Sequence, residues 1–323
     1  MGIDEVKVLI AGGAGFIGSH FTDALLARPG VTGVTLYDNF SSGREWHYAH
    51  HAKDARLAVV RANVEDTPAL ARAMAGHDTV IHLASNPDIA KAMTDPSVDF
   101  HQGTALTHAV VEACRLAGVK RLLYASGSGV YGELGTVEAH EDLGPLIPVS
   151  TYGASKLAGE ALIASYCYMF GLTACAFRFG NVVGPRQTHG VGFDFVRRLK
   201  ADPTKLRILG DGSQSKSYIH VTDVVRAVLL AFEKEKAPFR AFNVATGDYI
   251  TVREIADLAV ECVGLAKGSV KYELTGGDRG WKGDVPIVRL SIARIESLGW
   301  RCALDTRAAL KHSMLAMLEE LKA

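Results

Sequence analysis

The segment Val6-Lys7-Val8-Leu9-Ile10-Ala11-Gly12-Gly13-Ala14-Gly15-Phe16-Ile17-Gly18 constrains this chain more than any other. A β-branched run enters a tight glycine turn, and apolar residues at helical spacing continue from Gly15 to Ala27. Gly12 permits the turn, Gly15 lets a pyrophosphate approach the backbone, and Gly18 lets the helix lie close to the strand; the anion sits on the helix N-terminus. A second run ends at Tyr37-Asp38, about 20 residues on, where a carboxylate can hydrogen-bond a ribose diol. Strand, turn, helix and acid together predict a dinucleotide site built on Gly12, Gly15, Phe16, Ile17, Gly18 and Asp38. The Asp38 carboxylate would repel a 2′-phosphate, so NAD is favoured over NADP. Asn39, Ser41, Ser42 and Gly43 add polar groups around that ribose; Arg44 is the one residue that leaves NADP open, and its favoured reading is a solvated surface charge.

The pattern around this unit alternates. Short strand-like runs at Val6–Ile10, Val34–Tyr37, Ala58–Arg61, Thr79–Leu83, Arg121–Tyr124 and Ala174–Phe179 are separated by helical spacing at Gly15–Ala27, Pro68–Ala75, Ser97–Ala117 and Tyr152–Phe170. The fold class this predicts is α/β, a doubly wound parallel sheet of the Rossmann kind. After Gly184-Pro185 shorter helices follow, at Phe193–Lys200, Thr222–Phe232, Val252–Val263 and Thr306–Leu321, with Leu274–Pro286 as an irregular glycine-rich loop. A NAD-binding domain over 1–184 and a smaller α/β substrate lobe over 185–323 are expected, the chain crossing between them more than once.

Composition narrows the partners. Lys plus Arg number 35 and Asp plus Glu 35; that neutral balance argues against a nucleic-acid or membrane-surface protein. No apolar run approaches the ~20 residues of a membrane span, and Asp4 and Glu5 stand where a leader would be basic, so a cytoplasmic protein is expected. The five scattered cysteines form no CxxC and read as reduced thiols. His50, His51 and His189 show no ligand spacing, so no metal is expected, and His82 and His220 read as packed structural histidines.

Tyr152-Gly153-Ala154-Ser155-Lys156 puts a phenol and an ammonium on one helix face. A neighbouring positive charge favours the phenolate, so the pair can exchange a proton with an alcohol while a nicotinamide takes hydride. In order along the chain stand the glycine turn, Asp38-Asn39, Val80-Ile81-His82-Leu83-Ala84, Val130-Tyr131-Gly132, Tyr152–Lys156, Arg178-Phe179-Gly180-Asn181, Gly184-Pro185-Arg186, Tyr218–Asp223 and Gly276–Pro286. This chain resembles, over nearly its whole length, the extended short-chain dehydrogenase/reductases of the NAD-dependent epimerase/dehydratase family, and most of all nucleotide-sugar 4-epimerases of the UDP-glucose type.

The resemblance implies NAD as cofactor and a nucleotide-diphosphate sugar as substrate. Tyr152 would take the proton of the sugar 4-hydroxyl and Lys156 would hold the nicotinamide ribose. Asn63, Val64, Leu83, Ala84, Ser85, Ala125 and Phe179 would line the cofactor; Asn181, Lys216 and Arg279 would grip the sugar nucleotide. A homodimer through the helices at Ser97–Ala117 and Tyr152–Phe170 is implied as well.

Several residues depart from the family pattern. The Ser or Thr expected four residues before Tyr131 is Gly127, and Ser126 or Ser128 is the candidate replacement, directly or through water; the alternative makes both of them loop serines bound to backbone. Ser128-Gly129 supply none of the carboxyl groups that related dehydratases and decarboxylases carry there, which argues against both reactions. Asn63 replaces an Asp near adenine, Phe100 an Asn near the cofactor, and Lys216-Ser217 an Arg-Asp pair. A 4-ketosugar reductase or reductase-epimerase consuming NAD(P)H, and a weakly catalytic dinucleotide-binding protein, are the competing functions.

Overall fold

The computed structural model describes residues 5–86 and 89–321; Asp4, used in the leader argument, lies outside them. The first half runs β1 (Val6–Ala11), α1 (Phe16–Leu26), β2 (Val31–Asp38), β3 (Leu57–Arg61), α2 (Thr67–Met74), β4 (Thr79–His82), α3 (Ser97–Asp99), α4 (Leu106–Ala117), β5 (Arg121–Gly127), α5 (Thr151–Phe170) and β6 (Thr173–Phe179). There follow β7 (Asn181–Val183), α6 (Val191–Ala201), β8 (Lys205–Ile208), β9 (Ser215–Lys216), β10 (Tyr218–His220), α7 (Val221–Lys234), β11 (Phe239–Val244), β12 (Ile250–Thr251), α8 (Val252–Val263), β13 (Lys271–Leu274), α9 (Ala293–Ser297) and α10 (Thr306–Glu320).

Seven strands form one sheet in the order β11-β6-β5-β4-β1-β2-β3. β1 pairs in parallel with β2 on one side and β4 on the other, so the strand order reverses there. A crevice at the carboxyl ends of β1 and β4 is the place where such sheets bind ligands. Val8–Ala11 and all of β4 are buried, as expected for strands covered on both faces. All six expected strands form, and the fold class is the doubly wound one read from the sequence. The seventh strand, β11, was not anticipated: its short Phe-Arg-Ala-Phe-Asn-Val run follows a helix with no strong turn signal.

The helix expected at Ser97–Ala117 is not continuous. α3 gives way to a π-helical turn, Phe100–Ala105, before α4 begins. Gly103 explains the packing of this turn, because a Cβ there would lie 2.5 Å from Ser155 Oγ of α5. The chain divides into two compact units, 5–130 with 151–178 and 225–242, and 131–150 with 179–224 and 243–321. The helix read as Thr222–Phe232 therefore changes unit near its start. The first unit packs Leu9, Val80, Leu122 and Tyr124 with Val110 and Ile163. The second packs Phe195, Leu199, Ile255, Leu258, Leu310 and Met314. All five cysteines are free, and no helix among the described residues is long and apolar enough to cross a membrane.

Two buried histidines make the fold acid-sensitive. His82 lies against Thr107 Oγ1 at 3.1 Å, and burial pushes it down to about 3. His220, 2.9 Å from His312 and 2.7 Å from Thr222 Oγ1, is held at about 4 by burial and then by His312. Both are neutral in the folded state, so the unfolded chain, titrating near 6.5, takes protons first. Stability is then lost as pH falls from about 6.5 toward 3, by several kcal/mol in total. Urea unfolding across that range measures the loss, and His220→Asn should flatten the portion between pH 6.5 and 4.

Candidate active site

At the end of β1 the backbone turns through Gly12, with φ +81°, against the segment that follows β4. A Cβ on Gly12 would lie 2.7 Å from Ala84 N, and one on Gly18 2.6 Å from Gly13 O. On Gly15 it would meet only Gly12 O, at 3.4 Å, which leaves that side of the turn open. α1 starts there without a capping side chain and without an acid in its first turn. Its leading N–H groups are thus directed to a ligand, and a pyrophosphate is the group that fits them. The structure brings together Gly12, Gly15, Phe16, Ile17 and Gly18 with Leu83 and Ala84, whose amides both donate to Ala11 O at 2.9 Å.

The ribose end is clasped through one residue that sequence reasoning missed. Asp38, 6% exposed, accepts from Ala14 N (3.0 Å) and Phe40 N (2.8 Å), and each oxygen retains a lone pair for a ribose hydroxyl. Ala14 O in turn accepts from Arg44 N at 3.0 Å and lies 2.7 Å from His47 Nδ1. Gly43 is buried under this clasp, where a Cβ would come 2.9 Å from that of Ala14. Asn39 accepts from Ser41 N at 3.0 Å, and Ser41 and Ser42 are exposed. Exposed Asn63, beyond β3, is tied to Glu65 through its carboxamide, and Val64 beside it is buried. Arg44 is exposed, its guanidinium donating to Gly43 O.

Tyr152 and Lys156 stand on successive turns of α5, the ammonium 5.5 Å from the phenol ring centre. Lys156 is 4% exposed and donates to Ala125 O at 2.9 Å. Burial pulls it down to about 8, opposed by Asp99 and Glu160. Burial and then Asp99 push Tyr152 up to about 12, against a lowering by the Ser85 hydroxyl. Here burial outweighs the activation expected from the lysine, and a cationic ring beside the phenol acts in the opposite direction.

The serines flanking Gly127 differ. Ser126 donates its one hydroxyl proton to Glu160 Oε1 at 2.6 Å, and Glu160 is paired with Arg178 at 2.7 Å, all three buried. Ser126 is therefore not available as a donor to substrate, a correction to the expectation above. Ser128, half-buried at the start of the 3-10 turn Ser128–Tyr131, has no hydrogen-bond partner among the described residues. A Cβ on Gly127 would meet nothing within 4 Å.

In the second unit the expected substrate cations are already paired. Lys216 donates to Asp284 at 2.5 Å, and Arg279 reaches Asp278 at 3.0 Å and Glu133 at 3.3 Å. Asn181 Nδ2 donates to Ser217 O at 3.2 Å. Phe179, which ends β6, is buried and belongs to this unit. In the first unit Asp23 gathers His50 and His51 on one carboxylate oxygen, at 2.7 and 2.8 Å, a cluster of half-buried Asp23 and His51 with exposed His50 that spacing along the chain concealed.

Residues 8–245 match the model of the NAD dependent epimerase/dehydratase family. The chain belongs to that family. NAD is its cofactor, and the glycine turn and Asp38 fit that dinucleotide. Family relatives include the UDP-glucose 4-epimerase of Mycolicibacterium smegmatis, 34% identical with 80% of this chain and 83% of the relative covered. The UDP-glucose 4-epimerase of Thermus thermophilus, solved with NAD, has TM-score 0.84 at 31% identity, covering 97% of this chain and 99% of that one. A dTDP-glucose 4,6-dehydratase of Streptomyces venezuelae, also solved with NAD, has TM-score 0.89 at 27% identity, covering 98% of both. Both branches of the family are thus represented at similar distance.

Gly12→Ala tests the close approach in this family member. The added methyl, at positive φ and 2.7 Å from Ala84 N, should cost roughly 2 kcal/mol or more. Less dinucleotide should also be released when the purified variant is heat-denatured; wild-type melting and wild-type NAD content would contradict the assignment.

Proposed function

We propose that the protein is an NAD-dependent nucleotide-sugar 4-epimerase. The observation that carries this reading is an intact Tyr152–Lys156 pair beside the end of β5 and the turn that follows it, Ser126–Gly129, which offer no carboxyl group. By the resemblance, elimination of water across C5 and C6 uses carboxyl groups at that place, whereas epimerisation needs only proton exchange at O4. NAD held at the glycine turn and Asp38 would supply the reversible acceptance of hydride from the sugar C4 that a 4-epimerisation needs. Tyr152 holds and returns the O4 proton. Lys156, with one donor on Ala125 O, keeps two for a ribose diol. Lys216 and Arg279 exchange carboxylate partners for the substrate diphosphate, a swap that costs part of the binding energy. A homodimer belongs to the same reading, supported by exposed Leu116, Tyr168, Met169 and Phe170 on α4 and α5.

The test is incubation with UDP-glucose, UDP-galactose, their N-acetyl forms, the uronic acids and dTDP-glucose, without added cofactor. The expected products are C4 epimers with no bulk NADH change, abolished in Tyr152→Phe. A 4-keto-6-deoxy product would assign the chain to the dehydratase branch, and dependence on added NAD(P)H would assign it to the reductases. Gly127→Ser adds a hydroxyl where a Cβ meets no atom, and should raise kcat by roughly 10- to 100-fold. An unchanged kcat would mean that Ser128 or water already supplies that donor.

A further inference from the structure

Asp99 is 1% exposed, at the end of α3 where the π-helical turn packs Gly103 onto α5. Its Oδ1 accepts from Asn86 Nδ2 at 3.0 Å and its Oδ2 from Thr151 Oγ1 at 2.7 Å. Thr151 is the residue before Tyr152. Both donors are neutral, and no salt bridge holds Asp99 among the described residues. Phe100, standing where the resemblance expects an asparagine near the cofactor, is 58% exposed. The polar group that this turn directs inward is thus the carboxylate one residue earlier.

Taking Tyr152 and Lys156 as the proton-exchanging pair of the proposed function, we propose that Asp99 is a positioning residue whose unpaired negative charge, fixed between Asn86 and Thr151, keeps Lys156 cationic and the Tyr152 phenol protonated. Facing the pair are His82 on β4, Ser85 beyond it, Tyr124 on β5, Glu160 on α5 and Asp99. His82 is neutral. Glu160 is the other carboxylate, but the Arg178 guanidinium, 2.7 Å away, offsets its charge. Asp99 has no such cation to offset its charge among the described residues. Its direction is the same at both groups, opposing ionisation of Tyr152 and deprotonation of Lys156.

Asp99→Asn preserves size and a carbonyl acceptor while removing the charge. The side-chain NMR signal of Lys156 in the cofactor-free protein, assigned by its loss in Lys156→Met, should titrate near pH 8 in wild type. In Asp99→Asn its midpoint should fall by about one pH unit, the size of a partly screened charge in a buried site. The acid limb of kcat/KM should move in the same direction. Asp99→Glu should keep the wild-type midpoint. A merely structural role would lower the melting temperature of Asp99→Asn without moving the Lys156 midpoint, and that result overturns the proposal. Should Asp99→Asn not fold, Thr151→Val retains the charge with one donor fewer; a raised Lys156 midpoint supports the proposal, and an unchanged or lowered one overturns it. The titration reads the field whether or not a sugar is epimerised, so its failure is distinguishable from failure of the epimerase reading.

Discussion

Where β1 and β4 end side by side, the backbone at Gly12 comes so near Ala84 that no side chain fits between them. The cofactor side of the first unit depends on that approach. It directs the N-terminus of α1 toward the open side of the turn, and it places Ala14 where its amide and carbonyl each hold the ribose loop. A turn with side chains would lie farther from the β4 segment, and the clasp on Asp38, Arg44 and His47 would lose its anchor. Geometry at one glycine therefore governs a loop that begins more than twenty residues later.

Charge in this protein is arranged by pairing. The chain is neutral in sum, and Glu160–Arg178, Lys216–Asp284 and Arg279–Asp278 extend that neutrality to particular cations and carboxylates. Against this background buried Lys156 and half-buried Tyr152 stand out, because the Asp99 carboxylate that acts on both has no salt-bridge partner among the described residues. Burial pulls Lys156 down and pushes Tyr152 up, each toward its neutral form. The Asp99 carboxylate favours the protonated phenol, whereas a cationic nicotinamide beside Tyr152 would favour the phenolate, so the two would act oppositely on that group.

Local signals were legible in the sequence, and signals that cross between elements were not. The glycine turn, Asp38, the six strands and the Tyr152–Lys156 spacing are each written within one or two elements, and each follows from backbone sterics or helix periodicity. The Ala14–His47 clasp, the Ser126–Glu160–Arg178 network and the Asp23–His50–His51 cluster join residues whose separation along the chain carries no periodic trace. The π-helical turn was unreadable for another reason. Ser97–Ala117 keeps helical spacing throughout, and one extra residue in the turn changes which side chain faces inward, from Phe100 to Asp99.

The same parity argument decides between the serines around Gly127. Side chains alternate along a strand, so in β5 Ala125 and Gly127 share one face while Ser126 takes the other. Ser126 uses its face to bind Glu160, and it could not reach the opposite one without a register shift that would also bury or expose every neighbour in β5. Ser128, already in the 3-10 turn, is outside that alternation. The missing hydroxyl at Gly127 is thus not supplied by moving an adjacent strand serine across the sheet. Ser128 is the adjacent serine that this alternation leaves open, and the space beside Gly127, where a Cβ would meet nothing within 4 Å, is not required by the packing of β5.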